Sequence, residues 1–406
     1  MKIMTSLAAL LASASLCHAA DISGGVVKIG VLNDQSGVYA DFGGRTSVDA
    51  ARMAAEDFNA KNKSIKVEIV SADHQSKVDV ASSIAKQWFE AEGVDAIADL
   101  TNSAVAIAVN TMGKDLGKIT LMTAPLTTAL SNESCSPTGF HWGWDTFSQS
   151  VGTASALLQR NEKDWFILAA DYAFGAAMTA ELDRVVTAKG GKIVGQVKAP
   201  LGAADFSSFL LRAQSSKAQI VALANGGMDT INAIKQAGEF GIAAGGQKLA
   251  GLAVVISDVH ALGLKAAQGL IVTTPFYWDH NAETRAFSQR FYERTKRMPG
   301  VVQAATYSAV LHYLQAIAAA GTDNGTTVAE KMRATPVHDA YAPNGRIRPD
   351  GRMVTDMYLV EVKTPAESKG AWDYFKVLDK IPDGDTAAPL SASKCPLVKE
   401  AKATAK

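Results

Sequence analysis

The sequence predicts an α/β protein of two lobes, each a parallel sheet flanked by helices. Three observations predict it. Short apolar runs rich in β-branched residues recur at Val26–Leu32, Ile65–Val70, Val94–Leu100, Lys118–Thr123, Trp165–Ala170, Lys192–Val197, Gln219–Ala224, Leu249–Val255 and Gly269–Thr274. Between most of them lie roughly 10 to 18 residues with apolar positions at helical spacing, as in "RTSVDAARMAAEDFNAK" and "VDVASSIAKQWFEAEG", and strands that alternate with helices build parallel sheets covered on both faces. The rhythm breaks in "SNESCSPTGFHWGWDT", residues 131–146, where Pro, Gly and three aromatics precede a new series starting at Trp165. That break reads as a connection between lobes.

Taken in order, the chain opens with "MKIMTSLAALLASASLCHAA", in which Lys2, an apolar run from Leu7 to Leu16, and Ala19 and Ala20 form a secretory signal peptide. Cys17 follows Leu16 rather than the small residue a lipid-attachment site wants, so a soluble, cleaved product is expected. No later segment approaches the ~20 uninterrupted apolar residues of a membrane span. Gly93, Gly117, Gly190, Gly191 and Gly241 stand where helices hand over to strands, as left-handed caps would. After "GLIVTTPFYWDHN" come two helices, 283–296 and 303–320, then "APNGRIRPDGRMVTDMYLVEVK", which alternates like antiparallel strands about a turn at Pro349–Gly351. From Ile381 the tail loses periodicity and reads as surface wrapping with a frayed end.

Length bounds the domain count at two or three for 406 residues. Lys+Arg and Asp+Glu both number 40 and are interspersed, which leaves no basic face for nucleic acid or anionic lipid. Without the leader two cysteines remain, Cys135 and Cys395, in a chain bound for an oxidising compartment. Paired, they would close a loop of some 260 residues, with a loop-entropy gain on the order of 4 to 5 kcal/mol. Two separate buried thiols are the alternative.

The sequence carries no recognisable catalytic signature. The loop "NDQSGVYADFGGRTS" has neither the G-x-G-x-x-G spacing of a dinucleotide site nor the G-K-[ST] ending of a phosphate loop. No G-x-S-x-G, H-E-x-x-H or C-x-x-C appears, and the seven histidines are scattered singly; no metal and no cofactor is expected. A binder fits better than an enzyme. The loops at the carboxyl ends of the expected strands carry small hydroxyl and amide residues beside aromatics: "NDQSGVYADFGG", "DLTNSA", "MTAPLTTAL", "AADYAFG" and "LANGGMD". Ligands of open parallel sheets bind outside those ends, and helices starting at Ser103, Phe174 and Met228 would aim backbone amides there, favouring an anionic group.

At this point the chain resembles the periplasmic solute-binding proteins of ABC importers, in the branched-chain amino-acid (Leu/Ile/Val-binding) group. The likeness is carried in order by "KIGVLNDQSGVYADFGG", "VDVASSIAKQWFEAEGVDAIADLTNSAVAIAV", "DWFILAADYAFGAAM", "KGGKIVGQVKAPLGAADFSSFLLRAQSSKAQIVALANGG" and "IKQAGEFGI". It implies the type I two-lobed fold with three hinge crossings, near His141–Asp145, Thr273–Trp278 and Asp350–Met353. The first lobe would take 21–142 plus 274–350 and the second 143–273 plus 351–385, with 386–406 a tail tied back through Cys395. It also implies a monomer serving an ABC permease in the inner membrane.

Position by position, the resemblance implies that Phe42 packs on the ligand. Asn102 and Ser103 would hold its carboxylate with help from Ala124, Leu126 and Thr127, and Tyr172, Phe174, Asn225, Gly226, Met228, Val254 and Tyr277 would complete the site. One departure matters. Amino-acid binders of the group hold the ammonium with an acid after the eighth strand, and here "AGLAVVISD" is apolar around Ala253 and Val254, with Asp258 falling into the next helix. An unpaired ammonium costs several kcal/mol to bury. The expected ligand is therefore a small carboxylate without a cationic group, and the chain resembles the branch that imports aromatic acids of the benzoate or cinnamate type. Phe42, Tyr172, Phe174, Trp144 and Tyr277 would form a flat slot, whereas Trp142, Trp165 and Phe166 read as core. The rivals are an amino-acid or amide binder, a sensor, and a secreted hydrolase or lyase for which Asp171 with His141 is the best pair.

Overall fold

The computed structural model describes residues 21–404, so the expected signal peptide lies outside the described residues. Strands β1 (Val27–Asn33), β2 (Val67–Asp73), β3 (Ala96–Asp99), β4 (Ile119–Met122) and β5 (Gly139–His141) form a parallel sheet in the order β2-β1-β3-β4-β5. A second parallel sheet runs β7-β6-β8-β9, from β6 (Asp164–Ala170), β7 (Lys192–Ala199), β8 (Ile220–Ala224) and β9 (Lys248–Gly251). Inner strands such as β3, β4 and β8 are buried at every residue, which is why they read as unbroken apolar runs. Edge strand β7 alternates between solvent and core along most of its length.

Helices close both faces. Helix Val301–Ala320 is buried on nearly all sides, because helix Gly44–Lys61 covers its outer face and the first sheet lies beneath it. Helix Ser103–Leu116 ends at Gly117, whose φ of 64° lets the next amides return to Gly113 and Lys114. β10 (Ile271–Thr274), β13 (Met357–Val362) and β14 (Phe375–Ile381) make an antiparallel sheet beside the second lobe, and β11 (Arg346–Ile347) pairs with β12 (Met353–Val354) about the turn expected at Pro349–Gly351. The protein is thus a two-lobed α/β fold with two parallel sheets.

Several elements differ from expectation. The irregular stretch 131–146 contains β5, too short and too aromatic to show a period, yet paired to β4. Beyond it, helix Thr146–Gln149 passes through a π turn, Ser150–Ala154, into Ser155–Gln159. Gly152 is required there, since a Cβ would sit 2.2 Å from the Thr273 hydroxyl. β9 stops at Gly251 instead of reaching Val255. A further helix, Gly325–Ala334, lies in a stretch for which no element is expected, and Pro396–Thr404 is helical where the tail is expected to fray.

Where the chain passes from β5 into the second lobe it meets the segment returning from β12. His141 N–H donates to the Gly351 carbonyl (3.0 Å), and Arg352, 1% exposed, reaches across. Its Nε donates to Asp145 Oδ2 (3.0 Å) and its Nη1 to the carbonyls of His141, Gly143 and Met353 (2.9–3.3 Å). Replacing Arg352 by Met should lower unfolding free energy by about 3–5 kcal/mol, because the Asp145 carboxylate is then buried unpaired; the double variant with Asp145→Asn should recover part of that loss. Chemical denaturation of the two variants against the parent checks it.

Cys135 and Cys395 are joined in a disulfide, with Cα atoms 5.8 Å apart and a sequence separation of 260. Val398, Leu390 and Leu397 pack around the bridge and hold the tail to the first lobe. Replacing both cysteines by serine should destabilise the protein by about 2–4 kcal/mol, read as a lower denaturation midpoint.

Candidate functional site

The loops at the carboxyl ends of both parallel sheets meet around a small cavity between the lobes. Tyr39, Phe42, Thr101, Asn102, Ser103, Ala124, Pro125 and Leu126 line it from the first lobe, and Tyr172, Phe174, Gly226 and Ala253 from the second.

The first loop is shaped by Asp34, whose carboxylate accepts from the amides of Gly37 (2.7 Å) and Tyr39 (3.1 Å) and from the Ser76 hydroxyl (2.8 Å). A Cβ on Gly37 would meet that carboxylate at 2.7 Å, so the glycine serves the fold of the loop and not a phosphate. The loop delivers Phe42, stacked on Trp144 with centroids 5.8 Å apart and planes 17° apart, and Gln303 Nε2 ties its carbonyl to helix Val301–Ala320 (3.1 Å).

The loop after β3 runs through left-handed backbone at Asp99 (φ 74°), Leu100 (φ 58°) and Asn102 (φ 86°), a conformation that costs non-glycine residues energy. Buried Asp99 holds it by accepting from the Thr101 amide and hydroxyl and from Asn33 Nδ2 (2.9 Å). Burial pushes the Asp99 carboxyl up. Asn102 Oδ1 then accepts from the amides of Ala104 (2.9 Å) and Val105 (3.3 Å), so its carbonyl caps helix Ser103–Leu116. Ser103 Oγ accepts from the Thr127 amide (3.4 Å).

From the other lobe, Tyr172 brings its hydroxyl 2.5 Å from that of Tyr39, and Phe174 tilts against Tyr172 at 6.1 Å. Burial raises the pKa of both tyrosines, so the pair is neutral at physiological pH. Met228 N–H donates to the Val38 carbonyl (3.0 Å) beside Gly227, where φ is 57° and a Cβ would strike that same carbonyl at 2.4 Å. The lobes are closed.

Of the expected site residues, Phe42, Asn102, Ser103, Ala124, Leu126, Tyr172, Phe174 and Gly226 come together on this cavity. Thr127 does not line it, and its hydroxyl caps the turn Thr128–Ser131 through the Ala129 amide (3.3 Å). Asn225 is buried behind Gly226 with its side-chain amide unpartnered, while Met228 is 40% exposed. Val254 and Tyr277 belong to the second lobe's core, Val254 against Gly251 and Tyr277 against Phe375. Trp144 backs Phe42 from outside the lining. Trp142, Trp165 and Phe166 lie in the core. Tyr39, Thr101, Pro125 and Ala253 were missed as site residues, although the aromatic in "GVYADFGG" and the apolar Ala253 were visible.

No charged side chain lines the cavity. Asp258 is buried in the first turn of helix Ile256–Leu262, where it accepts from the Val255 amide (3.0 Å), and burial pushes its pKa up to about 7. The best catalytic pair does not form. His141 spends its Nε2–H on the Pro125 carbonyl (2.9 Å) and burial lowers its pKa to about 4, while Asp171 pairs with Lys198 at the surface (3.4 Å). What remains is a neutral, ring-walled chamber with a helix N-terminus at one end, suited to holding a ligand and not to transforming one.

Comparison with known proteins agrees. A family model described as periplasmic binding protein matches residues 26–371. The crystal structure of a periplasmic binding protein from Burkholderia mallei is 45% identical with a TM-score of 0.90, covering 92% of this chain and 99% of that one. A branched chain amino acid ABC transporter periplasmic ligand-binding protein from Burkholderia xenovorans LB400 is 42% identical with a TM-score of 0.81, covering 92% and 100%. The Leu/Ile/Val-binding protein homolog 6 of Brucella melitensis is 26% identical over 371 residues, 88% of this chain and 92% of that protein. The chain belongs to the periplasmic binding protein family, a non-enzymatic family, in its branched-chain amino acid ABC transporter group.

Proposed function

We propose that this chain, the substrate-binding component of an ABC importer, captures a small aromatic carboxylate of the benzoate or cinnamate type, as the aromatic-acid branch of its family does. The observation that carries the reading is the lining itself: Tyr39, Phe42, Tyr172 and Phe174 supply four rings, the start of helix Ser103–Leu116 supplies a positive dipole end, and no side chain supplies a formal charge. A carboxylate would meet the Ser103 hydroxyl at the helix start, and an aromatic body the rings. An amino acid brings an ammonium with no acid to meet it.

In this reading the mature protein is a periplasmic monomer released by a cleaved signal peptide, its lobes are bounded at 21–142 plus 274–350 and 143–273 plus 351–385, and an inner-membrane permease reads the closed form. Among the described residues no helix is long and apolar enough to cross a membrane. A second reading, a branched-chain amino acid, is favoured by the name of the 42% identical Burkholderia xenovorans protein.

Isothermal titration against benzoates, cinnamates and branched-chain amino acids decides between them. Saturable binding of an aromatic acid with no heat from leucine is the expected result, and tight leucine binding without response to benzoates overturns it. Ser103→Ala should weaken carboxylate binding by about 1–3 kcal/mol, and Phe42→Ala by a similar amount through lost ring contact. Unchanged affinity in both would place the ligand elsewhere.

A further inference from the structure

The tail begins on one lobe and ends on the other. β14 belongs to the second lobe: it pairs with β13, and Phe375 packs with Val360 and Val362 in the core that also holds Phe166 and Leu168 of β6. Cys135 belongs to the first lobe, in the loop between β4 and β5, where Asn110 Nδ2 of helix Ser103–Leu116 donates to the neighbouring Ser134 carbonyl (2.8 Å). Residues 381–395 join the two, and the disulfide makes the far end covalent.

This strap is laid along the hairpin of β11 and β12, whose base leads into β13 and whose turn meets β5 where His141 donates to the Gly351 carbonyl. At the base, the Asp383 amide donates to Asp356 Oδ1 (3.0 Å), Asp383 Oδ2 pairs with Arg346 (2.9 Å) and Thr386 Oγ1 donates to the Thr355 carbonyl (3.2 Å). Towards the turn, Arg348 Nη1 donates to the Ala388 carbonyl (2.8 Å). On the first lobe, the Lys394 amide donates to Asn132 Oδ1 (2.6 Å), one residue before the bridge. Thr386, Ala387 and Cys395 are buried. A terminus that only wrapped a surface would fray; this one is pinned at both ends and along its length.

We propose that the 381–395 strap is a further link between the lobes, added to the hinge crossings, and that it restrains their opening. Opening must peel the strap from the hairpin or drag the first-lobe anchor with it. Fewer open arrangements are then accessible, and a clamp with fewer of them gives up less conformational entropy on shutting over its ligand. The inference rests on the reading of the two lobes as a clamp, but not on which ligand the clamp holds.

Hydrogen exchange of the empty mature protein tests it, read at the Met228 amide, whose acceptor Val38 lies across the cleft, and at the amides of β8 inside the second lobe. A protease recognition sequence inserted between Gly384 and Asp385, both exposed, lets the strap be cut in the folded protein with the disulfide in place. Cutting should speed exchange at Met228 by roughly threefold or more, because that amide exchanges through lobe opening. A strap that serves global stability alone would speed β8 and leave Met228 unchanged, and that result overturns the proposal. If the insertion does not fold, Cys135→Ser with Cys395→Ser frees the same anchor and is read in the same way. Exchange at Met228 no faster than in β8 before any cut would overturn the clamp and the strap together, whereas failure to bind an aromatic acid touches neither.

Discussion

Arg352 is a cation withdrawn from solvent, and the geometry of the hinge follows from how its charge and donors are met. A guanidinium in such a place is costly unless its N–H groups find acceptors and a counter-ion. Asp145 supplies the charge, and the carbonyls of His141, Gly143 and Met353 supply the acceptors. These carbonyls lie on two chain segments far apart in sequence, so satisfying one side chain fixes both crossings relative to each other. Asp145 in turn caps the helix that opens the second lobe, accepting from the Ser148 amide. The junction between the lobes is thereby braced from both sides.

The central cavity inherits its precision from the same economy. Asp99 holds three non-glycine residues of one loop in left-handed backbone, and Asp34 folds another loop over itself. Neither carboxylate touches the cavity. Each is consumed in shaping backbone, so that only rings, small hydroxyls and amides reach the interior. The chamber's neutrality is therefore built by placing its charges in the walls' supports.

Much of this was legible in the sequence, and the limits have physical causes. Parallel strands buried on both faces announce themselves as apolar runs, and left-handed caps such as Gly117 announce helix ends, so the α/β order and the two sheets could be read directly. Short elements could not: β5 spans three residues and the π turn at 150–154 has no period of its own. The site loops were recognisable by position, which brought Phe42, Ser103, Tyr172 and Phe174 together. Thr127 is expected as a ligand contact because sequence shows that a hydroxyl is present and not where it is already spent, here in capping the turn Thr128–Ser131. Tyr277 is expected as a wall of the slot because an aromatic within a crossing can face either the cleft or the core, and here it packs on Phe375.

Contact between the lobes is made partly by the protein itself. The amide of Met228 reaches the Val38 carbonyl, and the hydroxyls of Tyr39 and Tyr172 meet directly. Such bonds need no ligand atom, so in the proposed clamp they would lower the free energy of the shut state of the empty protein. A ligand then has less of the closing free energy to supply, and its apparent affinity rises by the factor through which the shut state is already populated. The same bonds set a floor under background shutting. For the proposed clamp, discrimination between loaded and empty protein is then limited by the strength of two hydrogen bonds that the protein makes to itself.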